Sequence, residues 1–158
     1  MEFSMPKKRL IAVLFAGIVA VLPLGAATVS VLVIETSLNT DSINSQYSEL
    51  WENSLMDVFF DMGHIVSNSS RIWVNEKPKG GLPAEARSDV KDAYEGGMNY
   101  FVIAIVNYDL SDVSLRLFNT KSLQMVVERK YEVTAFRNTK DENENIKKAA
   151  RAMAAYLK

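Results

Sequence analysis

His64 is the only histidine in 158 residues, and the chain contains no cysteine. That pair of facts sets narrow limits on the chemistry available. Disulfides, thiolate-held zinc, iron–sulfur clusters and a cysteine nucleophile all need sulfur ligands and are excluded. His64 lies close in sequence to Ser67, Ser69 and Ser70. A Ser–His–Asp hydrolase would draw on such residues. However, the Gly-x-Ser-x-Gly elbow that exposes a serine nucleophile is absent. The simpler reading is a residue at a helix-to-strand junction, since His64 follows Gly63 directly. The pairs Glu49/Glu52 and Asp57/Asp61 have the three- and four-residue spacing that puts carboxylates on one helix face. With no histidine, cysteine or glycine loop beside them, they read as a solvated face. Gly80-Gly81 and Gly96-Gly97 extend to neither a dinucleotide nor a phosphate-binding loop. These residues predict no catalytic site, no metal site and no cofactor.

The best candidates for function are instead residues that bind. Arg71, Trp73, Lys77 and Lys79 fall within one polar segment that also holds Pro78, Gly80 and Gly81. Aromatic and arginine side chains are enriched where interfaces concentrate their energy. The competing reading makes Ile72-Trp73-Val74 an edge strand with Trp73 turned into the core. A second possibility is a concave small-ligand or glycan site around Trp73 and Tyr100. A free sheet edge at the later hairpin could also accept a partner strand.

These residues must be positioned by a fold of ordinary composition. Hydrophobic residues make up 48% and charged residues 23%, with a net charge of −1. That is globular usage, with no basic excess to attract nucleic acid. Residues 28–35 and 99–107 are β-branched runs, apolar on both alternations, as in strands covered on both faces. Residues 48–62 carry Leu50, Trp51, Leu55, Val58, Phe59 and Met62 at helical spacing and end at Gly63. His64 to Ser67 read as a short strand. Pro83 opens a second helix to residue 95. Val113, Leu115 and Leu117 alternate with Ser114 and Arg116, which predicts a half-exposed strand in a hairpin spanning residues 112–135. Thr139 and Glu142 have capping-box spacing ahead of a helix over residues 141–157. The order β-α-β-α-β-β-β-α predicts an α/β (α+β) domain. It has a single mixed sheet of about five strands with about three helices packed on it.

Residues 1–27 read as an address. Lys7, Lys8 and Arg9 precede a 15-residue uncharged run, Leu10 to Leu24, and then Gly25-Ala26-Ala27. This is the order of a secretory signal peptide, and cleavage is expected between Ala27 and Thr28. Retained, the same segment would anchor the chain in a membrane. Either way residues 28–158 form one domain, exported and most simply periplasmic.

Four patterns together resemble the periplasmic family that includes the TolB amino-terminal domain, CsgG and LpoB. They are the buried opening strand from Val29 to Glu35, Gly63 followed by His64-Ile65-Val66, the approach Ala93-Tyr94-Glu95-Gly96-Gly97-Met98-Asn99-Tyr100, and the hairpin from Val113 to Glu128. Met98, Asn99, Ala104 and Ser122 depart from that pattern, and no lipid-bearing cysteine is present. The resemblance implies a non-enzymatic role with an envelope protein partner, and membrane contact only through an uncleaved leader.

Overall fold

The computed structural model describes residues 25–134 and 136–158. The leader, apart from residues 25–27, lies outside the described residues. Among the described residues no helix is long and apolar enough to cross a membrane.

The two runs that are apolar on both alternations form the centre. β1 (Thr28–Thr36) and β4 (Tyr100–Asn107) lie parallel and in register over eight pairs, from Val29 opposite Tyr100 to Thr36 opposite Asn107. Their side chains divide by parity. Val29, Val31, Val33, Val102, Ala104 and Val106 enter one core. Leu32, Ile34, Phe101, Ile103 and Ile105 enter the other. Each fully buried aliphatic side chain contributes about 1.5–3 kcal/mol, so both faces must be covered.

The first face takes two helices. α1 (Ser45–Asp61) begins three residues before the expected start because Asn44 caps it, its side-chain oxygen accepting the Tyr47 N–H. Gly63 stops it at φ +86°, with His64 N–H bonded to Phe59 O and Gly63 N–H to Phe60 O. This is the Schellman arrangement, whose left-handed residue glycine adopts without strain. The buried stripe of α1 is Tyr47, Trp51, Leu55, Val58 and Phe59. Met62, expected in that stripe, is half exposed beyond the last turn. α3 (Lys140–Ala154) is capped by Thr139, which accepts the Glu142 N–H, and packs Ile146, Ala149, Ala150 and Met153 against the same core. Glu142 does not complete a reciprocal capping box. Its carboxylate accepts the Tyr47 hydroxyl at 2.6 Å, joining α3 to α1.

The edge next to β1 is one strand in two pieces. β2 (Ile65–Asn68) and β3 (Ile72–Val74) both run parallel to β1, separated by Ser69, Ser70 and Arg71. On the far side, β5 (Asp112–Asn119) and β6 (Met125–Glu132) continue β4 as an antiparallel meander. The sheet therefore has six strands, with β3 as the one strand beyond the expected five. The free edge at β6 carries Glu128, Arg129, Lys130 and Glu132. Such charges blunt strand addition, which disfavours that edge as a docking template.

The second face has only α2 (Arg87–Glu95), nine residues long, led in by a short 3-10 turn at Ala84–Ala86. Val90 of this helix and Ala86 of the turn reach the core. The rest of the cover is the loop over residues 75–83, and Arg116 fixes it. The Arg116 guanidinium donates to Lys79 O at 2.9 Å, Gly81 O at 3.0 Å and Pro78 O at 3.4 Å, and pairs with Glu128 at 2.9 Å. Ser114 also donates to Glu128. The expected half-exposed alternation of β5 is thus overturned: Arg116 is only 3% exposed and Ser114 is fully buried, because the loop lies over them.

Burial acts on Glu128 to raise its carboxyl pKa. The hydrogen bonds from Ser114 and Arg116 outweigh that and hold it below the usual glutamate range. A carboxylate with a lowered native pKa stabilises the fold fully above the unfolded value of about 4.3, and that contribution is lost as pH falls through the native value. Acid unfolding followed by circular dichroism is therefore expected to show a limb below about pH 4. Glu128→Gln should flatten it while lowering neutral-pH stability by about 1–3 kcal/mol.

Candidate functional site

The chain leaves the carboxyl ends of β1 and β3 in opposite directions. After Thr36 it crosses to the face of α1, and after Val74 it crosses to the face of α2. Adjacent parallel strands whose connections diverge leave a crevice at their carboxyl ends, where α/β sheets bind their ligands. Here Glu35 of β1 stands opposite Trp73 of β3.

Around this point is a polar cluster. Arg71, in the break between β2 and β3, donates to Ser45 O at 2.8 Å and lies 3.7 Å from Glu52 and 3.9 Å from Glu35. Asn68 donates to the other oxygen of Glu52. Oε1 of Glu35 is buried and accepts no hydrogen bond, so the Arg71 charge is what compensates it. The Tyr108 hydroxyl donates to Asn44 O at 2.7 Å, and Ser48 donates to Tyr108. Burial, reinforced by the charge of Glu35, pushes the Tyr108 phenol up to about 12 against the opposing hydrogen bond from Ser48. Asp109 ties the loops together, accepting the Ser37 hydroxyl and the Leu38 N–H.

At the rim of this end three large apolar side chains face solvent. Trp73 is 47% exposed, Leu38 78% and Leu110 67%. Ile72 and Val74, partly buried, pack against the second core, so the edge strand is anchored on either side of Trp73. The edge-strand expectation for residues 72–74 holds, but Trp73 points away from the core.

The four candidate surface residues separate in space. Arg71 is tied to the cluster with its side chain 33% exposed, and Lys77 pairs with both oxygens of Asp112 at 2.6 Å. Lys79 contributes its backbone carbonyl to Arg116, and Trp73 presents a large apolar side chain at the rim. Tyr100 does not join Trp73. The two register with Val29 and Glu35 of β1, six residues or about 20 Å apart along the strand. His64 accepts the Ala27 N–H at 3.2 Å before β2, whereas Ser69 and Ser70 lie beyond its other end. Ser67 lies within β2, three residues or about 10 Å along the extended chain from His64, so none of the three serines stands beside it. Among the described residues no cluster of carboxylates and histidine could hold a metal ion. Glu52, read from sequence as solvated, belongs to the Arg71 cluster. Glu35 was missed altogether, because a lone acid ending an apolar strand looks like a strand terminus.

Arg71→Ala would leave the Glu35 carboxylate buried without its compensating charge. Denaturant melts should show a loss of about 1–3 kcal/mol, partly regained by adding Glu35→Gln. Lys79→Ala should stay within about 0.5 kcal/mol, since only its backbone is engaged.

No protein-family model matches the chain, and no curated protein sequence does. Among solved structures it is similar to the PelC dodecamer from Paraburkholderia phytofirmans, with a TM-score of 0.44 and 14% identity, over 84% of this chain and 88% of that one. TolB from Acinetobacter baumannii gives a TM-score of 0.44 and 14% identity, over 84% of this chain and 27% of TolB. A Helicobacter pylori protein described as a neuraminyllactose-binding hemagglutinin homolog gives 0.42 and 12%, over 85% and 84%.

Proposed function

We propose that this chain is an exported, non-enzymatic domain of the cell envelope that binds a protein partner through the carboxyl-end rim. The observation that carries the reading is Trp73. It is held half exposed on an edge strand, between two partly buried neighbours that pack against the second core. A large rigid aromatic presented this way loses little conformational entropy on binding and is the side chain most often found as an interface anchor. Leu38 and Leu110 extend the apolar surface at the same end, on loops fixed by Asp109 and Asn107. The leader and the sequence resemblance to envelope domains support export to the periplasm. A retained leader would add a membrane anchor.

A second exposed apolar group, Phe60, Met62 and Ile65, lies at the opposite end of the sheet. There the described chain begins, and Ile65 N–H bonds Ala27 O. It serves as the internal control. Photo-crosslinkers placed in cells at position 38 or 110 should trap one specific envelope protein, and one at position 60 should not. Purified with that partner, Trp73→Ala should weaken binding by about 2 kcal/mol, roughly thirtyfold, with an unchanged melting temperature. Capture from position 60 alone, or binding indifferent to Trp73, would overturn the assignment of this surface.

A further inference from the structure

An open cavity of about 520 Å3 lies between α2 and the β5–β6 turn. Its size is that of a small-molecule site. It is remote from the Trp73 rim, because Thr120 at the start of the turn bonds Asn99 O, at the amino end of β4. Arg87, Lys91 and Tyr94 line it from α2, at positions i, i+4 and i+7 of one helix face. Leu82 enters from the loop over residues 75–83, and Lys121 and Leu123 from the turn.

Two features of this cavity are unexplained by folding. The first is charge. None of its lining residues is acidic. Lys91 has Glu95 at 3.7 Å in an exposed pair, but Arg87 and Lys121 make no ion pair among the described residues. The second is Leu123. Its φ is +57°, in the left-handed region that glycine or asparagine occupies with little strain and leucine does not. The turn is well made otherwise: Asn119 O accepts the Leu123 N–H, and the Asn119 side chain accepts the N–H of Lys121 and Ser122. Yet the leucine side chain is 53% exposed, so burial does not offset the strain. Tyr94, facing the same cavity, is 49% exposed. Strained residues gather where binding depends on them.

We infer that this cavity binds an anionic amphiphile: one phosphate or carboxylate met by Arg87, Lys91 and Lys121, with a short apolar body against Leu82, Tyr94 and Leu123. The same chemistry occurs in a free organic phosphate and in a phospholipid headgroup with the start of its acyl chains. Three cations without a lining carboxylate select the anion, and three apolar side chains select against a bare ion.

The test is calorimetric titration of the full chain with hexyl phosphate, inorganic phosphate and hexanol. Hexyl phosphate should bind at one saturable site, at least about tenfold tighter than either half-ligand, and more weakly as salt rises. The double variant Arg87→Ala/Lys121→Ala should lose about tenfold or more. Leu123→Gly is the discriminating variant. It relieves the backbone strain, so its melting temperature should be equal or a few degrees higher, about 2–4 °C, while hexyl phosphate binding is lost. Co-sedimentation with phosphatidylglycerol vesicles that depends on Arg87 and Lys121 would assign the lipid as source. Binding of hexyl phosphate without vesicle association would assign a soluble ligand. Inorganic phosphate binding as tightly as hexyl phosphate, or binding that survives Leu123→Gly, would overturn the proposal.

Discussion

The rest of the structure follows from β1 and β4 being apolar on both sides. A parallel pair of that kind cannot face water on either surface. Two helices cover one face. The other receives a single nine-residue helix, which is too short to cover β4 and β5 as well. Closure therefore falls to the loop over residues 75–83, which has no regular structure before its short 3-10 turn and must be held by side chains. Arg116 does this with one guanidinium, four of whose five N–H groups meet Glu128 and three loop carbonyls. A buried charge is costly unless it is paired and hydrogen-bonded, and here the loop carbonyls that bond Arg116 belong to the cover itself.

That arrangement also shapes the two proposed binding surfaces. The loop begins directly after β3, so fixing it fixes the direction in which the chain leaves Trp73. It ends at the 3-10 turn leading into α2, so it also places Leu82 and the Arg87–Lys91–Tyr94 face beside the β5–β6 turn. The rim at the carboxyl end and the cavity at the amino end are thus two consequences of how one face of a sheet was covered. The Arg71 cluster plays the matching part on the other side. It neutralises Glu35 where β1 runs out and spans the break between β2 and β3.

Much of this was legible in the sequence. The two central strands declare themselves by apolar residues on both alternations, and Gly63 and Thr139 mark helix ends through local backbone chemistry that needs no tertiary context. What was not legible depends on residues distant in the chain. Ser114 and Arg116 sit where a period-two pattern reads as solvent-facing, and the loop that buries them lies some 35 residues earlier. Helix α1 begins at Ser45 because Asn44 is tied to Phe136 as well as to Tyr47, a contact across 92 residues. Arg71, Lys77 and Lys79 looked like one basic patch because they are neighbours in sequence. A break in the edge strand and a turn in the loop send the Arg71 and Lys77 side chains to separate acidic partners, while Lys79 engages only its backbone carbonyl. Leu123 looks like an ordinary exposed leucine until its backbone angle is known.

The dependence of the second face on Arg116 is tested most directly by trypsin. Lys79 is an exposed cleavage point, and its carbonyl accepts a bond from Arg116 at 2.9 Å. In the native chain the Lys79–Gly80 bond should resist cleavage under conditions where global unfolding is negligible. In Arg116→Met, still folded by its cooperative melt, the loop should detach and that bond should be cut first, at least about tenfold faster. Equal cleavage rates at Lys79–Gly80 in the two proteins would contradict the account, because the loop would then be held by something other than Arg116.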